Sequence, residues 1–395
     1  MVLWVDKHRP RQLDALDHLP ALSRQLTTLA ANADFPHLLV YGPSGAGKKT
    51  RIVALLREIY GPGVEKLRID VRQFSTPSNT KKEISVVTSN YHMEMTPGDV
   101  GVHDRLIVTD LIKEIAQTHQ VDSNARRAFK IVVLNEADGL SRDAQSALRR
   151  TMEKYMSSLR IVLCAESTAK IIAPIRSRCL LVRVAAPDVP EIRSVILKVC
   201  KKEDLQIPEE FATRLATAAD GNLRKAILML EASRIQQYPF TNDQKIFKSD
   251  WELVIDEIAQ SIISEQSPAR LLAVRGALYE LLSHCIPADL VIKRLALELV
   301  RHLEDNDGLG IKRSVLQAAA QYEHRLRLGN KAIFHLEAFV ARFMTVYKGY
   351  LIDCGLGVKV STSKTSTEKM KMESMKRERC GVERAGGVEG REWPA

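Results

Sequence analysis

Residues 42–50 combine glycines, lysines and a hydroxyl in an order that can bind phosphate groups. Their sequence is Gly-Pro-Ser-Gly-Ala-Gly-Lys-Lys-Thr, preceded by an apolar run and followed by a helical pattern. Glycines allow tight turns that point successive N–H groups at phosphate oxygens, and the helix N-terminus adds partial positive charge. The lysine at position 48 matches the residue that reaches the outer phosphates of a nucleotide. We predict a nucleotide site formed by Gly42, Pro43, Ser44, Gly45, Ala46, Gly47, Lys48, Lys49 and Thr50.

The metal-binding part of this pattern is altered. The position after the lysine normally supplies a Ser or Thr hydroxyl to Mg²⁺, but Lys49 stands there and Thr50 follows one residue late. An ammonium group has only donors and cannot coordinate a cation. The sequence therefore predicts nucleotide binding and leaves Mg²⁺ open, with Thr50 as the candidate ligand.

A second motif carries a related change. Residues 130–134 (Lys-Ile-Val-Val-Leu) predict a buried parallel strand, and such a strand usually ends in Asp-Glu, where the Asp supports Mg²⁺. Here the pair is Asn135-Glu136. The amide oxygen is a weaker ligand for a hard dication, while Glu136 can still polarise a water molecule. Two altered metal positions beside intact phosphate and water positions predict a chain that holds ATP or ADP and hydrolyses slowly; neutral drift at each position is the alternative.

The elements that position these motifs fall into three regions. Residues 1–185 alternate strand-like and helical patterns, which is typical of a doubly wound α/β domain. Residues 186–245 predict short helices that form a lid, and residues 246–352 predict long amphipathic helices whose apolar positions form a core. Residues 353–395 are polar and lack apolar periodicity, so we predict a disordered tail.

Composition narrows the functional classes. The chain has 395 residues and a formal net charge of +10, which favours a polyanionic partner such as nucleic acid. The first twenty residues lack an apolar signal segment, and no stretch is apolar enough for a membrane span. The six cysteines have neither zinc nor disulfide spacing, so we expect reduced thiols in a cytosolic or nuclear protein. Residues 375–379 (Met-Lys-Arg-Glu-Arg) are either a nuclear address or a solvated charge run.

Taken in order, these features resemble an AAA+ clamp-loader subunit, and most closely the small subunits of replication factor C. The segment Leu-Trp-Val-Asp-Lys-His-Arg-Pro at residues 3–10 resembles the family's N-terminal segment that wraps the adenine. The resemblance implies adenine contacts from Trp4, Val5, Arg9 and Pro10. His8 replaces the family's usual tyrosine.

Three further motifs carry the resemblance. Residues 175–179 contain the Ser-Arg-Cys box, which implies that Arg178 is an arginine finger for a neighbouring subunit; pairing within its own domain is the alternative. Residues 221–226 match the sensor 2 helix, where Arg224 would touch the γ-phosphate. Glu166 stands where the family usually has a sensor 1 Asn, and a carboxylate there repels phosphate.

The resemblance also implies partners and a nuclear location. They are four other replication factor C subunits bound through residues 246–352, the sliding clamp PCNA, and primer–template DNA onto which ATP-driven clamp loading occurs. We predict DNA-phosphate contacts from Arg149, Arg150 and Lys154, and from Lys81 and Lys82 on a channel-facing helix, with a solvated basic face or intersubunit ion pairs as the alternative. Residues 105–117 resemble the clamp-binding region, although the apolar positions Leu106, Ile107, Leu111, Ile112 and Ile115 could be core.

Three functions stay open at this point. The first is a working DNA-dependent ATPase subunit of the clamp loader. The second is a scaffolding, nucleotide-sensing subunit without hydrolysis of its own, including one from a related checkpoint or cohesion clamp loader. The third is another AAA+ DNA-associated ATPase.

Overall fold

The computed structural model describes residues 2–32, 35–75, 81–117, 129–156, 158–303 and 308–353. The chain divides into two compact units, Met1–Phe247 and Lys248–Ala395. This division lies two residues after the boundary predicted between the lid and the C-terminal helices. The predicted disordered tail lies outside the described residues except for Asp353, which ends the last helix.

The first unit is built on one seven-stranded sheet. Its strands are β1 (His37–Tyr41), β2 (Arg68–Ser75), β3 (Lys81–Thr88), β4 (His92–Met95), β5 (Lys130–Leu134), β6 (Leu159–Ala165) and β7 (Cys179–Arg183).

The strand order brings the sequence motifs to one edge. The order is β2-β3-β4-β5-β6-β1-β7, in which β4, β5, β6, β1 and β7 are parallel and β2 and β3 are antiparallel to their neighbours. The carboxyl ends of parallel strands meet at the same edge of a sheet, where α/β proteins bind their ligands. The loops after β1, β4, β5 and β6 therefore lie side by side.

Helices cover both faces of this sheet. They are α2 (Pro20–Ala31), α3 (Lys48–Tyr60), α4 (Asp104–Gln117), α5 (Arg142–Lys154) and α6 (Ala173–Arg176). The short helix α1 (Trp4–Lys7) precedes them and does not belong to these layers, because its Trp4 is buried among the lid helices. Apolar side chains of β1, β5 and β6 alternate between two buried clusters, one on each face. On β5, Val132 belongs to one cluster and Val133 to the other, as expected for a strand buried on both sides.

Three helices complete the first unit: α7 (Val189–Lys202), α8 (Glu209–Ala218) and α9 (Leu223–Gln236). They share a separate apolar core that includes Ile196, Phe211 and Leu230. At the start of α7, Asp188 and Glu191 form a reciprocal capping box. The predicted helical lid is thus present.

The second unit contains long helices in its described residues: α10 (Asp250–Ser264), α11 (Pro268–Ser283), α12 (Ala288–His302), α13 (Gly308–Leu328) and α14 (Ala332–Asp353). Their apolar faces meet in one core, in which Leu278, Phe339 and Val340 are completely buried. In its described residues, this unit matches the predicted all-helical C-terminal domain.

The structure corrects the placement of Lys81 and Lys82. We predicted a helix, but both residues lie at the start of β3, and β3 pairs with β2 along its whole length. The cause is visible in the sequence that follows, where buried Ile84 and Val86 alternate with exposed residues, the period of a strand. The side chains of both lysines lie outside the described part of the structure.

The predicted clamp-binding region forms helix α4, and its apolar side chains divide. Ile112 and Ile115 are buried in the sheet core, which matches the core alternative, and Leu106 is half-buried. The side chains of Ile107 and Leu111 are not among those described. Within the described residues, no helix combines the length and apolar character needed to cross a membrane.

Candidate nucleotide-binding site

A cavity of about 680 Å³ lies at the carboxyl edge of the sheet, under the lid. Most of the residues predicted from the nucleotide motifs line it: Val5, Arg9, Pro10, Ser44, Gly45, Ala46, Gly47, Lys48, Lys49, Thr50, Asn135, Glu136, Glu166 and Arg224. Gly42, Pro43 and Trp4 belong to the predicted set but do not line the wall.

The loop between β1 and α3, residues 42–47, turns at glycines with positive φ and is called the phosphate loop below. Gly45 adopts a φ of +73°, a left-handed conformation that glycine tolerates best. The Lys48 ammonium donates hydrogen bonds to the Gly42 and Pro43 carbonyl oxygens at 2.7 and 2.9 Å. The ammonium is therefore held at the loop, next to the backbone N–H groups at the start of α3.

Lys49 and Thr50, the two positions where a metal-binding hydroxyl was sought, already have protein partners. Lys49 Nζ lies 2.8 Å from Glu94 Oε2, and Glu94 is a buried residue of β4. Thr50 Oγ1 accepts a hydrogen bond from Arg9 Nε at 3.0 Å. Burial lowers the pKa of Arg9, and the carboxylates of Asp6 and Glu94 oppose this shift. Two cations are thus fixed where the pattern would place Mg²⁺.

Glu94 stays charged despite its burial. Burial acts to raise its pKa, but hydrogen bonds from His92 and Lys49, together with their charges, outweigh this effect and lower the pKa to about 2. His92 Nε2 lies 3.8 Å from Glu94 Oε1. The buried carboxylate is a fixed anion that orients Lys49.

The ends of β5 and β6 contribute the polar side of the cavity. Glu136 has a φ of +51°, a strained conformation for a residue with a side chain, and this turn directs the chain into the next helical segment. The Asn135 backbone N–H donates to the Met95 carbonyl oxygen at 2.9 Å, which joins the ends of β5 and β4. Glu136 and Glu166 are exposed on the cavity wall.

The lid touches the phosphate loop directly. The Leu223 N–H at the start of α9 donates to the Gly45 carbonyl oxygen at 3.2 Å. Asn222 caps α9 by accepting a hydrogen bond from the Lys225 N–H at 3.0 Å. Arg224 lies in the first turn of the same helix and lines the cavity, so a positive helix end and a guanidinium both face it.

The N-terminal segment divides between the cavity and the lid. The resemblance implied that Trp4 contacts the adenine, but Trp4 does not line the cavity. It is buried in the core of the lid. Its backbone N–H donates to Glu231 Oε2 at 3.1 Å, and the Arg234 guanidinium lies 5.1 Å from its ring centre. An indole buries a large apolar area, and α9 offers the apolar surface that covers it. His8 contacts Glu203 at 2.5 Å, which ties the same segment to the end of α7.

Sequence reasoning missed several residues that line the cavity. They come from the segment after Pro10, from the end of β4, from the turn after β5 and from the lid: Asp14, Asp17, His18, Thr96, Asp138, Lys198, Lys202 and Ile227. His18 is buried, and its two ring nitrogens lie 2.8 Å from Glu191 Oε2 and 2.9 Å from the Ala185 oxygen. No local motif marks these positions, because the folding of the lid over the sheet brings them to the cavity.

Arg178 does not line the cavity of its own chain. It follows α6, where its guanidinium donates to the Pro174 carbonyl oxygen at 2.8 Å and lies 2.5 Å from Glu153 Oε1. The own-domain pairing considered as the alternative therefore exists in this chain. Glu153 belongs to α5 and also accepts from Arg149 Nε at 3.3 Å.

The other basic residues predicted to contact DNA lie on the same helix. Arg149, Arg150 and Lys154 are exposed, and the three occupy one side of α5 because of their helical spacing. The helix is capped by Ser141, whose hydroxyl accepts from the Ala144 N–H at 3.1 Å. The basic face is therefore carried by a well-defined helix.

The family models that match the chain agree with this architecture. Three family models match the chain: DNA polymerase III, delta subunit, over residues 19–188; the RCF1/5-like AAA+ ATPase lid domain over residues 194–235; and the replication factor C subunit 3 C-terminal domain over residues 251–351. Among solved structures, the RuvB branch migration motor of Thermotoga maritima covers 68% of this chain and 85% of its own, at 16% identity and a TM-score of 0.44.

Curated relatives match over almost their whole length. Replication factor C subunit 3 of Homo sapiens is 55% identical over 353 residues, which cover 89% of this chain and 98% of the relative. Replication factor C subunit 5 of Neurospora crassa is 56% identical over 356 residues, covering 90% of this chain and 100% of the relative. The resemblance drawn from the motifs is confirmed, and the chain belongs to the replication factor C subunit 3/5 family of AAA+ clamp-loader subunits.

Proposed function

We propose that this chain is the subunit of a nuclear, five-membered clamp loader that holds ATP or ADP without hydrolysing it efficiently and supplies Arg178 to a neighbouring subunit's site. The observation that carries the proposal is the arrangement of the cavity. The phosphate loop and the lid line one cavity, in which Lys49 pairs with Glu94 and the Thr50 hydroxyl accepts a hydrogen bond from Arg9.

Nucleotide binding is supported by the charges around the phosphate loop. Lys48, Lys49, Arg9 and Arg224 all line one cavity, together with the N-terminal ends of α3 and α9. Helix N-termini and positively charged side chains are the groups that proteins use to bind phosphates. Van der Waals contacts for a base would come from Val195, Val199 and Ile227 of the lid, which line the same cavity.

The proposal of slow hydrolysis is supported by the charged side chains that line the same cavity. Phosphoryl transfer needs a correctly placed cation and a polarised water molecule. Glu136 could polarise the water, but Glu166 adds a second negative charge on the wall, and such a charge repels the γ-phosphate.

A role for Arg178 in trans is supported by its position outside its own cavity. An arginine finger is worth on the order of 10³ to 10⁵ in rate at a neighbouring site. The Arg178–Glu153 pair is partly exposed, so a more strongly charged phosphate can replace the carboxylate.

Sequence-independent DNA binding follows from the basic face of α5. Arg149, Arg150 and Lys154 would contact backbone phosphates of a primer–template junction, and such contacts weaken steeply as salt rises. The sliding clamp PCNA and four further replication factor C subunits complete the proposed assembly, which acts in replication and repair.

The proposal is tested on the purified chain and on its assembly. Nucleotide content and turnover are measured on the chain alone, and co-purification is tested with the four related subunits and the ring clamp. We expect bound nucleotide, turnover near background, and recovery of all partners in one complex. Rapid turnover by the isolated chain, or failure to assemble, would refute the proposal.

A further inference from the structure

At the two positions after Lys48, the side chains do not offer Mg²⁺ the free hydroxyl that a phosphate-binding loop usually supplies. This ion requires near-octahedral oxygen coordination at about 2.0–2.1 Å and is usually held by carboxylate or hydroxyl groups beside the phosphates. In this chain the hydroxyl of Thr50 accepts from the Arg9 guanidinium, and the position before it carries an ammonium. A dication placed there would lie next to two positive charges.

Glu94 gives the ammonium a fixed position. Lys49 Nζ and Glu94 Oε2 are 2.8 Å apart, and the Glu94 side chain is only 5% exposed. The Lys49 side chain itself is 44% exposed and lines the cavity, so its charge is available to a ligand. A buried carboxylate that holds a cation at the cavity wall is a built feature, in contrast to a mobile surface lysine.

We propose that this site binds ATP or ADP without Mg²⁺ and that Lys49, held by Glu94, is the cation that offsets the phosphate charge in place of the metal. This inference rests on the proposed function, since it assumes that the cavity binds a nucleotide. Glu94 acts here as a positioning residue, because its carboxylate holds Lys49 and does not line the cavity. A nucleotide held in this way is a structural ligand of the subunit.

The test is ADP affinity measured on the full-length chain by calorimetry, in excess Mg²⁺ and in EDTA. We expect equal affinities within about twofold for the natural chain and for Lys49→Arg, which keeps the cation. For Lys49→Thr, which restores a hydroxyl at this position, we expect affinity in EDTA to fall about tenfold or more and Mg²⁺ to restore it.

Two outcomes separate this inference from the proposed function. Binding by the natural chain that weakens tenfold or more in EDTA would overturn the inference and leave nucleotide binding intact. That result would also appear if Glu136 or Asp138 holds a metal. Absence of ADP binding under both conditions would overturn the proposed function and this inference with it.

A second variant guards against misfolding. Lys49→Thr leaves the Glu94 carboxylate buried without its partner, so the double variant Lys49→Thr/Glu94→Gln removes that charge as well. Thermal unfolding checks that this variant is folded. If its ADP affinity is as indifferent to Mg²⁺ as that of the natural chain, Lys49 does not replace the metal and the inference is wrong.

Discussion

Arg178 and Glu153 form an ion pair in which one guanidinium nitrogen lies 2.5 Å from the Glu153 carboxylate oxygen. Glu153 also accepts a hydrogen bond from Arg149, so one carboxylate joins the proposed arginine finger to the basic face of α5. The carboxylate side chain is 45% exposed, and exposed pairs exchange easily with solvent. The pair therefore orients Arg178 in the isolated chain, and it can open when Arg178 contacts a neighbouring subunit.

Replacing Glu153 with Gln should therefore have little effect on folding. We expect the melting temperature of Glu153→Gln to match that of the natural chain, and DNA-stimulated ATP turnover of the reconstituted complex to be retained. Calorimetry and a turnover assay measure the two quantities. If Glu153→Gln abolished turnover as fully as Arg178→Ala, the carboxylate would be part of the catalytic arrangement.

Alanine substitutions of Gly45 and Gly47 test the contact between the lid and the phosphate loop, because only Gly45 lies against the lid. A Cβ at residue 45 would lie 1.8 Å from Asn222 Oδ1, whereas a Cβ at residue 47 meets nothing within 4 Å. Both glycines have positive φ, so both alanine variants carry conformational strain of about 1 kcal/mol. Only Gly45→Ala must also displace the cap of α9, which costs about 1 kcal/mol more.

We expect ADP affinity to fall about fivefold more for Gly45→Ala than for Gly47→Ala. Adding Asn222→Gly removes the clash at a small capping cost, so the double variant should regain part of the loss. Titration calorimetry measures all three variants. Equal losses for the two alanine variants would show that the lid contact does not support binding.

Substitutions of Trp4 test whether this residue contacts the adenine, as the resemblance implies, or stabilises the lid core, in which the structure places it. Because Trp4 is buried among lid helices, Trp4→Ala should destabilise the first unit by about 3–5 kcal/mol, and Trp4→Phe by less. The preference for ATP over GTP should be unchanged in Trp4→Phe. Chemical unfolding measures the loss of stability, and competition binding measures the preference for ATP. If Trp4→Phe lost this preference, Trp4 would be a residue that contacts the adenine.

His37 predicts how stability depends on pH. Burial, with a smaller contribution from the Arg160 charge, lowers its pKa from 6.5 to about 4, and its Nδ1 accepts from the Ile161 N–H at 3.0 Å. Below pH 6.5 His37 binds a proton in the unfolded chain, whereas in the folded chain it does so only below about pH 4. Stability is therefore lost as pH falls from 6.5 to 4, by about 3 kcal/mol from this group.

The variant His37→Asn should flatten that dependence, because the amide oxygen can accept from Ile161 and does not titrate. Urea unfolding of the natural chain and of His37→Asn at several pH values between 7.5 and 4 measures the difference. The same slope in both would mean that His37 does not govern acid stability. Glu94 acts only at lower pH: its pKa is depressed from 4.5 to about 2, so its contribution to stability is full above pH 4.5 and is lost as pH falls from about 4.5 to 2.

The features predicted correctly from sequence are those with a local signal. The strand–loop–helix setting of residues 42–50 is marked by glycines and lysine at fixed spacing, β5 by an uninterrupted apolar run, and α10 to α12 by helical apolar spacing. Each of these patterns is complete within about fifteen residues. Long-range pairing was not needed to recognise them.

The features missed depend on contacts between distant segments. Trp4 finds its partners in α9, more than 220 residues away, and Lys49 finds Glu94 on a strand that the sequence pattern did not mark. β4 has only four residues and includes His92 and Glu94, so it lacks the apolar pattern of a buried strand. Lys81 and Lys82 were placed by resemblance, and the strand pattern of the residues after them was overlooked.

The central claim is tested most directly by ATP turnover of the assembled complex on primer–template DNA, with single substitutions in this subunit. We predict that Arg178→Ala lowers DNA-stimulated turnover by removing a group worth about 10³-fold or more at the neighbouring site. We also predict that the exposed control Arg176→Ala and the phosphate-loop variant Lys48→Ala leave turnover nearly unchanged. Unchanged turnover in Arg178→Ala together with a large loss in Lys48→Ala would contradict the account.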